Sequence, residues 1–503
     1  LPLGTVVAHH WKESGKIAIL PPGVSAVKLF SWFVLVLVVA VTVTISFSQD
    51  PSPRGDAPEK PAESLGSSPA TRDNNAALKT PAETTWAPRH SFDYPSFPAG
   101  LPANLPAPRP LDKYVVLAWN DLGMHCYQAD FSTFQILPPY NVFWAQVIRR
   151  GQKPVIVTEG VELRYETLKV TDPVRHTNFW DYAAAYGWKL APGVGLKGKR
   201  TSGTMESAAD HFVAEGVPVV DFTDDGTWDP FPMFTVSLHD RAGNLLAQTV
   251  NVAPASTEMS CDLCHVADSL QGSMAAILKA HDKNENTDLL QRAEAGKPVQ
   301  CCSCHADPAM GVMENKDCEL SLSAAMHGFH AGKVAEPERQ LPKNVCHSCH
   351  PGPKTKCLRD IMSQSGITCT DCHGQMATVA DQTRTPWTTM PSCTTCHTED
   401  LQDPEEMSIA APNEHLTKDS ASLYRHSKAH GGGGIYCCAC HGSPHTITPA
   451  ATVRDNEQAV RLQGHEGPIA KCIVCHVEEP ESEFWHFRKA ESSAAQLLGA
   501  RRE

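Results

Sequence analysis

Basic residues are scarce in this chain of 503 residues: 43 Lys and Arg stand against 56 Asp and Glu, a formal charge of −13. Such a balance lacks the cationic footprint that holds phosphate backbones, so no nucleic-acid partner is expected. Disorder over the whole length is also excluded, because 41% of the residues are hydrophobic and only 20% charged. Length allows two or three packed domains. What the sequence has in surplus is 19 cysteines and 24 histidines. At those frequencies the pattern C-x-x-C-H should arise by chance about 0.03 times. It occurs seven times.

The seven copies pair Cys261 and Cys264 with His265, Cys301 and Cys304 with His305, and Cys346 and Cys349 with His350. They continue with Cys369, Cys372 and His373, Cys393, Cys396 and His397, Cys437, Cys440 and His441, and Cys472, Cys475 and His476. Two thiols three positions apart can each add to one vinyl group of a haem, and the imidazole that follows then binds the iron. Structural zinc is the alternative, with C-x-x-C pairs joining two at a time. Seven is an odd number of pairs, and zinc has no need of a His after each. Seven covalent c-type haems are therefore expected.

Each iron needs a second axial ligand or an open site. His281, His327, His330, His430, His445 and His465 are the first candidates for distal ligands, followed by His415, with His347, His426 and His486 in reserve and His125 as an outside candidate. Histidines thus outnumber the irons, and no C-x-x-C-K offers the unusual proximal ligand of many haem reductases. No catalytic residue is assigned.

The chain divides by composition. Residues 1–48 contain Leu29–Phe47, nineteen residues without a charge, flanked by Lys12, Lys16 and Lys28 before and Asp50 after. This reads as a signal peptide or membrane anchor that exports the remainder. Residues 49–110 are rich in Pro, Ala and Ser and read as a disordered linker. Residues 111–260 have no C-x-x-C-H. Their short apolar runs, at Tyr114–Trp119, Val142–Ile148, Pro154–Thr158, Val161–Val170, Phe234–Leu238 and Leu245–Val252, predict a mostly β accessory domain with sandwich character. Asn178–Tyr186 is the one helical-looking piece, and His239–Asn244 a hairpin turn. Residues 261–487 hold all seven motifs, a density at which the macrocycles must serve as the core, with short helices and long loops. Motif starts are 40, 45, 23, 24, 44 and 35 residues apart, which excludes a strict repeat. Residues 488–503 form a tail. Of the five remaining cysteines, Cys302, Cys318, Cys357 and Cys438 are expected to supply one or two disulfides, leaving Cys126 free and buried.

Several phrases carry a resemblance: WNDLGMHC (Trp119–Cys126), LPPYNVFWAQVI (Leu137–Ile148), STEMSCDLCH (Ser256–His265), CHPGPKTKCLR (Cys349–Arg359) and LYRHSKAHGGGGIYCCACHGSPH (Leu423–His445). Together they resemble exported multihaem c-type cytochromes of anaerobic, metal-respiring bacteria, over residues 111–480. The resemblance implies mainly bis-histidine haems that relay electrons in or beyond the cell envelope. The resemblance implies redox proteins and extracellular or mineral acceptors as partners, with further copies in an oligomer or filament, whereas a membrane contact follows from the apolar Leu29–Phe47 if that segment is uncleaved, a departure from the family. The competing expectation is a multihaem reductase of nitrite, hydroxylamine, tetrathionate or another small oxyanion.

Overall fold

Successive side chains of Tyr114–Asn120 point to opposite faces of a strand, yet six of its seven residues are buried, so both faces of this strand must be covered. The computed structural model shows how. It describes residues 100–315, 317–334, 344–387, 389, 391, 424–425, 428–429 and 434–480. Residues 1–99, with the apolar Leu29–Phe47, lie outside that range, as do Cys393–His397, His415, His426, His430 and residues 481–503.

The strands are β1 (Tyr114–Asn120), β2 (His125–Cys126), β3 (Phe134–Gln135), β4 (Asn141–Arg149), β5 (Val155–Ile156) and β6 (Glu162–Thr167), then β7 (Ser202–Thr204), β8 (Glu206–Ser207) and β9 (Phe212–Val217). After them come β10 (Met233–His239), β11 (Leu245–Val252), β12 (Ala255–Ser256), β13 (Val299–Gln300), β14 (Lys428–Ala429) and β15 (Ile435–Tyr436). One sheet has the order β1-β4-β9-β8 with β5 paired to β4, and a second has β11-β10-β6-β7. The two pack face to face. Val116, Ala118, Phe143, Ala145 and Val147 from the first meet Leu163, Tyr165, Phe234, Val236 and Leu238 from the second in one buried cluster. At its centre Phe143 and Phe234 stack with ring centroids 3.9 Å apart. The expected sandwich is therefore present over 111–260, and the expected hairpin joins β10 to β11. The helical-looking piece shrinks to a single turn, Phe179–Tyr182, because its Ala-rich continuation passes into turns and closes at Gly187.

Beyond residue 260 the described helices are α1 (Leu270–Glu285), α2 (Leu289–Glu294), α3 (Leu322–Ala331), α4 (Val453–Gln463) and several single turns. Among the described residues no helix is long and apolar enough to cross a membrane. The C-terminal segment covers the outer face of β1: Val115, Leu117 and Trp119 pack with Tyr436, Cys438, Ala439 and Val474. Alternation along β1 thus sends one set of side chains into the sandwich and the other against the last two motifs. Parallel pairing of β13 with β3 fastens the second motif to the sandwich as well.

Candidate functional site

Each described C-x-x-C-H wraps a single helical turn. In the first, Cys264 N and His265 N both donate to Cys261 O, at 3.2 and 2.9 Å. The second, third and seventh copies repeat this on Cys301, Cys346 and Cys472, while Cys369–His373 and Cys437–His441 are one-turn α-helices. On such a turn positions i, i+3 and i+4 share one face, so two sulfurs and an imidazole project together. The geometry is local, which is why the motif's spacing reveals it.

Histidine orientation is not local. His305 Nδ1 donates to Leu320 O at 3.0 Å and His476 Nδ1 to Gln152 O at 3.1 Å. His327 and His330 on α3 donate to Ser323 O and Met326 O, each at 2.7 Å, and His465 to Glu466 O at 2.8 Å. His445 donates to Leu122 O at 3.0 Å. A carbonyl can only accept, so in each of these six rings Nδ1 carries the proton and the neutral ring's lone pair sits on Nε2. A carbonyl that accepts from Nδ1 fixes the ring's direction and leaves Nε2 to bind a metal. His281, near the end of α1, places Nδ1 3.1 Å from Thr287 Oγ1.

His350 and His373 are exposed residues, although surrounding groups displace part of the water from each ring. That loss of water lowers both pKa values to about 4, helped by neighbouring imidazoles, His327 first for His350 and His445 for His373. Burial also lowers the pKa of His327 and of His445. All four are neutral at pH 7, the form able to bind a metal.

The motifs gather out of sequence order. The thiols of Cys346 and Cys369, first cysteines of the third and fourth motifs, lie beside each other. Asn344 ties the same pair, accepting from Cys346 N at 3.1 Å and donating to Cys369 Sγ at 3.2 Å. The turn of the first motif lies against that of the third, with Cys349 facing Cys261. Cys440 and Cys475 of the sixth and seventh motifs face each other, and Ile469 N bonds Cys440 O at 2.9 Å. Asn344 escaped the sequence reading, although an Asn directly before a helical turn is a recognisable cap.

The expected disulfides are absent, and His125 is satisfied locally. His125, the outside candidate, has its Nε2 2.7 Å from Asp121 Oδ1 and its ring buried against Tyr140. Residues 121–124 turn between β1 and β2, and the histidine that opens β2 is satisfied. None of Cys302, Cys318, Cys357 and Cys438 forms a disulfide. Cys438 is enclosed beneath β1 and Cys302 lies beside Asp307, whereas Cys357 packs with Cys126 against the cluster of Met124, Phe231 and Met233. Among the described residues no three His, Cys, Asp or Glu side chains converge as a metal-holding group. Comparison with protein-family models, with curated proteins and with solved structures finds no match for this chain.

Proposed function

We propose that this chain is an exported multihaem c-type cytochrome that relays electrons through seven closely spaced haems in or beyond the cell envelope. The observation that carries the reading is the common pose of its histidines. Proximal His305 and His476 and the candidate distal His327, His330, His445 and His465 all anchor Nδ1 on a backbone carbonyl and keep Nε2 for a metal. The cysteine pairs beside them supply the two sulfurs that a covalent haem needs, on the same face as the proximal ring.

Bound haem supplies one-electron redox chemistry at iron. The chain's own residues hold the rings in place through Cys261, Cys264, Cys301, Cys304, Cys346, Cys349, Cys369, Cys372, Cys393, Cys396, Cys437, Cys440, Cys472 and Cys475. Desolvation favours the neutral form of His327, His350, His373 and His445, and the fold brings motifs into contact. Contact between the first and third motifs, the third and fourth, and the sixth and seventh favours a relay. The segment from 261 onward is then a haem-cored region, with the sandwich as its scaffold and the N-terminal segment as its means of export.

Intact mass after acid-acetone extraction should report seven haem additions, with four or fewer refuting the proposal. Magnetic circular dichroism should find nearly all ferric irons low-spin. A large high-spin population that rapidly binds nitrite would favour the reductase instead.

A further inference from the structure

The turn between β1 and β2 holds the ring of a histidine 323 residues beyond Leu122: His445 Nδ1 donates to Leu122 O at 3.0 Å. Arg359 fastens the two pieces from a third side, its backbone N bonding His445 O at 2.9 Å and its Nη1 bonding Gly123 O at 2.9 Å. Gly123 has φ +75° and lies so close to Pro444 O that a Cβ would fall 1.8 Å from that oxygen. His445 itself has φ +65°, uncommon for a residue with a side chain.

The ring so held faces the fourth motif, although it follows the sixth. The centroids of His445 and His373 are 6.2 Å apart, with planes inclined by 37°. Two imidazoles on opposite sides of one first-row metal, each bonded at about 2 Å with its ring centre about 1 Å further out, have centroids about 6 Å apart. His327 and His350 meet the same condition at 5.9 Å and 15°.

We infer that His445 is the distal ligand of the haem carried by Cys369, Cys372 and His373, and that the Leu122–Gly123 turn of the sandwich positions it. This rests on the haem reading above. It gives the sandwich a role in the redox chain: a backbone carbonyl of one region fixes the tautomer and direction of an axial ligand in another. Leu122 and Gly123 are positioning residues.

Thioethers keep the haem attached when an axial ligand is lost, so irons can be counted in variants. His445→Ala and His373→Ala should each convert one low-spin iron per chain to high-spin by magnetic circular dichroism, and the double variant should still convert one. Two converted irons in the double variant would place the residues on different haems and overturn the pairing. His445→Met keeps a ligand, makes a milder change to the fold, and should raise the potential of a single haem; an unchanged titration would overturn the assignment. Gly123→Ala should alter the electron paramagnetic resonance signature of one low-spin haem, the same one that disappears in His445→Ala. A shift in a different haem, or in none, would overturn the positioning role. A wild-type protein with no haem additions by mass would refute the underlying reading before any variant is made, whereas seven additions with a two-iron double variant would refute the pairing alone.

Discussion

Arg359 shows how much one side chain can hold when four of its five N–H donors are used. Its guanidinium is buried, donates from Nε and Nη2 to Asp455 at 2.7 and 2.8 Å, reaches Gly123 O and Cys357 O through Nη1, and lies 4.2 Å above the ring of Phe231. Removing one partner of a buried ion pair leaves an uncompensated charge, which costs about 3–5 kcal/mol. Asp455→Ala should therefore lower the denaturation midpoint strongly. The paired replacement Arg359→Met with Asp455→Leu should recover part of the loss, since the cost lies in the orphaned charge more than in the missing attraction. Equilibrium urea unfolding of the three variants beside the wild type checks both statements.

At the scale of elements, α4 has an unusual place. Its sequence VRDNEQAVRLQ is polar enough for a solvent-facing helix, yet Arg454 through Ala459 are buried. The reason is the free edge of β1, which sits beside β11 without a ladder between them. Gln458 Oε1 accepts from Ala118 N at 2.8 Å and from Thr249 Oγ1 at 2.9 Å, and Asn251 Nδ2 donates to Ala118 O at 2.5 Å. Side chains thus satisfy an edge that would otherwise be buried unpaired. Gln458→Leu preserves volume but strands a buried N–H and a hydroxyl, at about 1–3 kcal/mol per group. A drop in the thermal midpoint with native secondary structure retained is the expected result, read by circular dichroism.

For the molecule as a whole, one carboxylate links the sandwich to the strand pair before the sixth motif. Asp210 receives Lys428 Nζ, His211 Nδ1 and the Tyr436 hydroxyl. Burial raises its pKa, but the hydrogen bonds from His211 and Lys428 outweigh that and bring it down to about 2. The folded value lies below the unfolded one, so this contribution to stability is complete above about pH 4 and is lost as pH falls toward 2. Thermal midpoints measured from pH 5 to pH 2.5 should fall in the wild type, and Asp210→Asn should flatten part of that fall. The sandwich core is drawn wholly from residues 116–255, whereas the described clusters further along are small. Protein produced without haem attachment should accordingly keep hydrogen-exchange protection in β1, β4, β10 and β11 and lose it in the motif turns.

Sequence by itself determined what depends on neighbours a few positions apart. Short apolar runs bounded by turn residues marked β1, β4, β6, β10 and β11, and C-x-x-C-H marked turns on which two sulfurs and an imidazole share a face. It missed β9, where Gly216 interrupts the alternation, and could not see that His125 would spend its Nε2 on Asp121. Only the tertiary structure decided which histidine faces which motif, why β1 is buried on both sides, and which cysteines share a core. Those outcomes turn on contacts such as Leu122 with His445, where the partners lie hundreds of residues apart and no local period connects them.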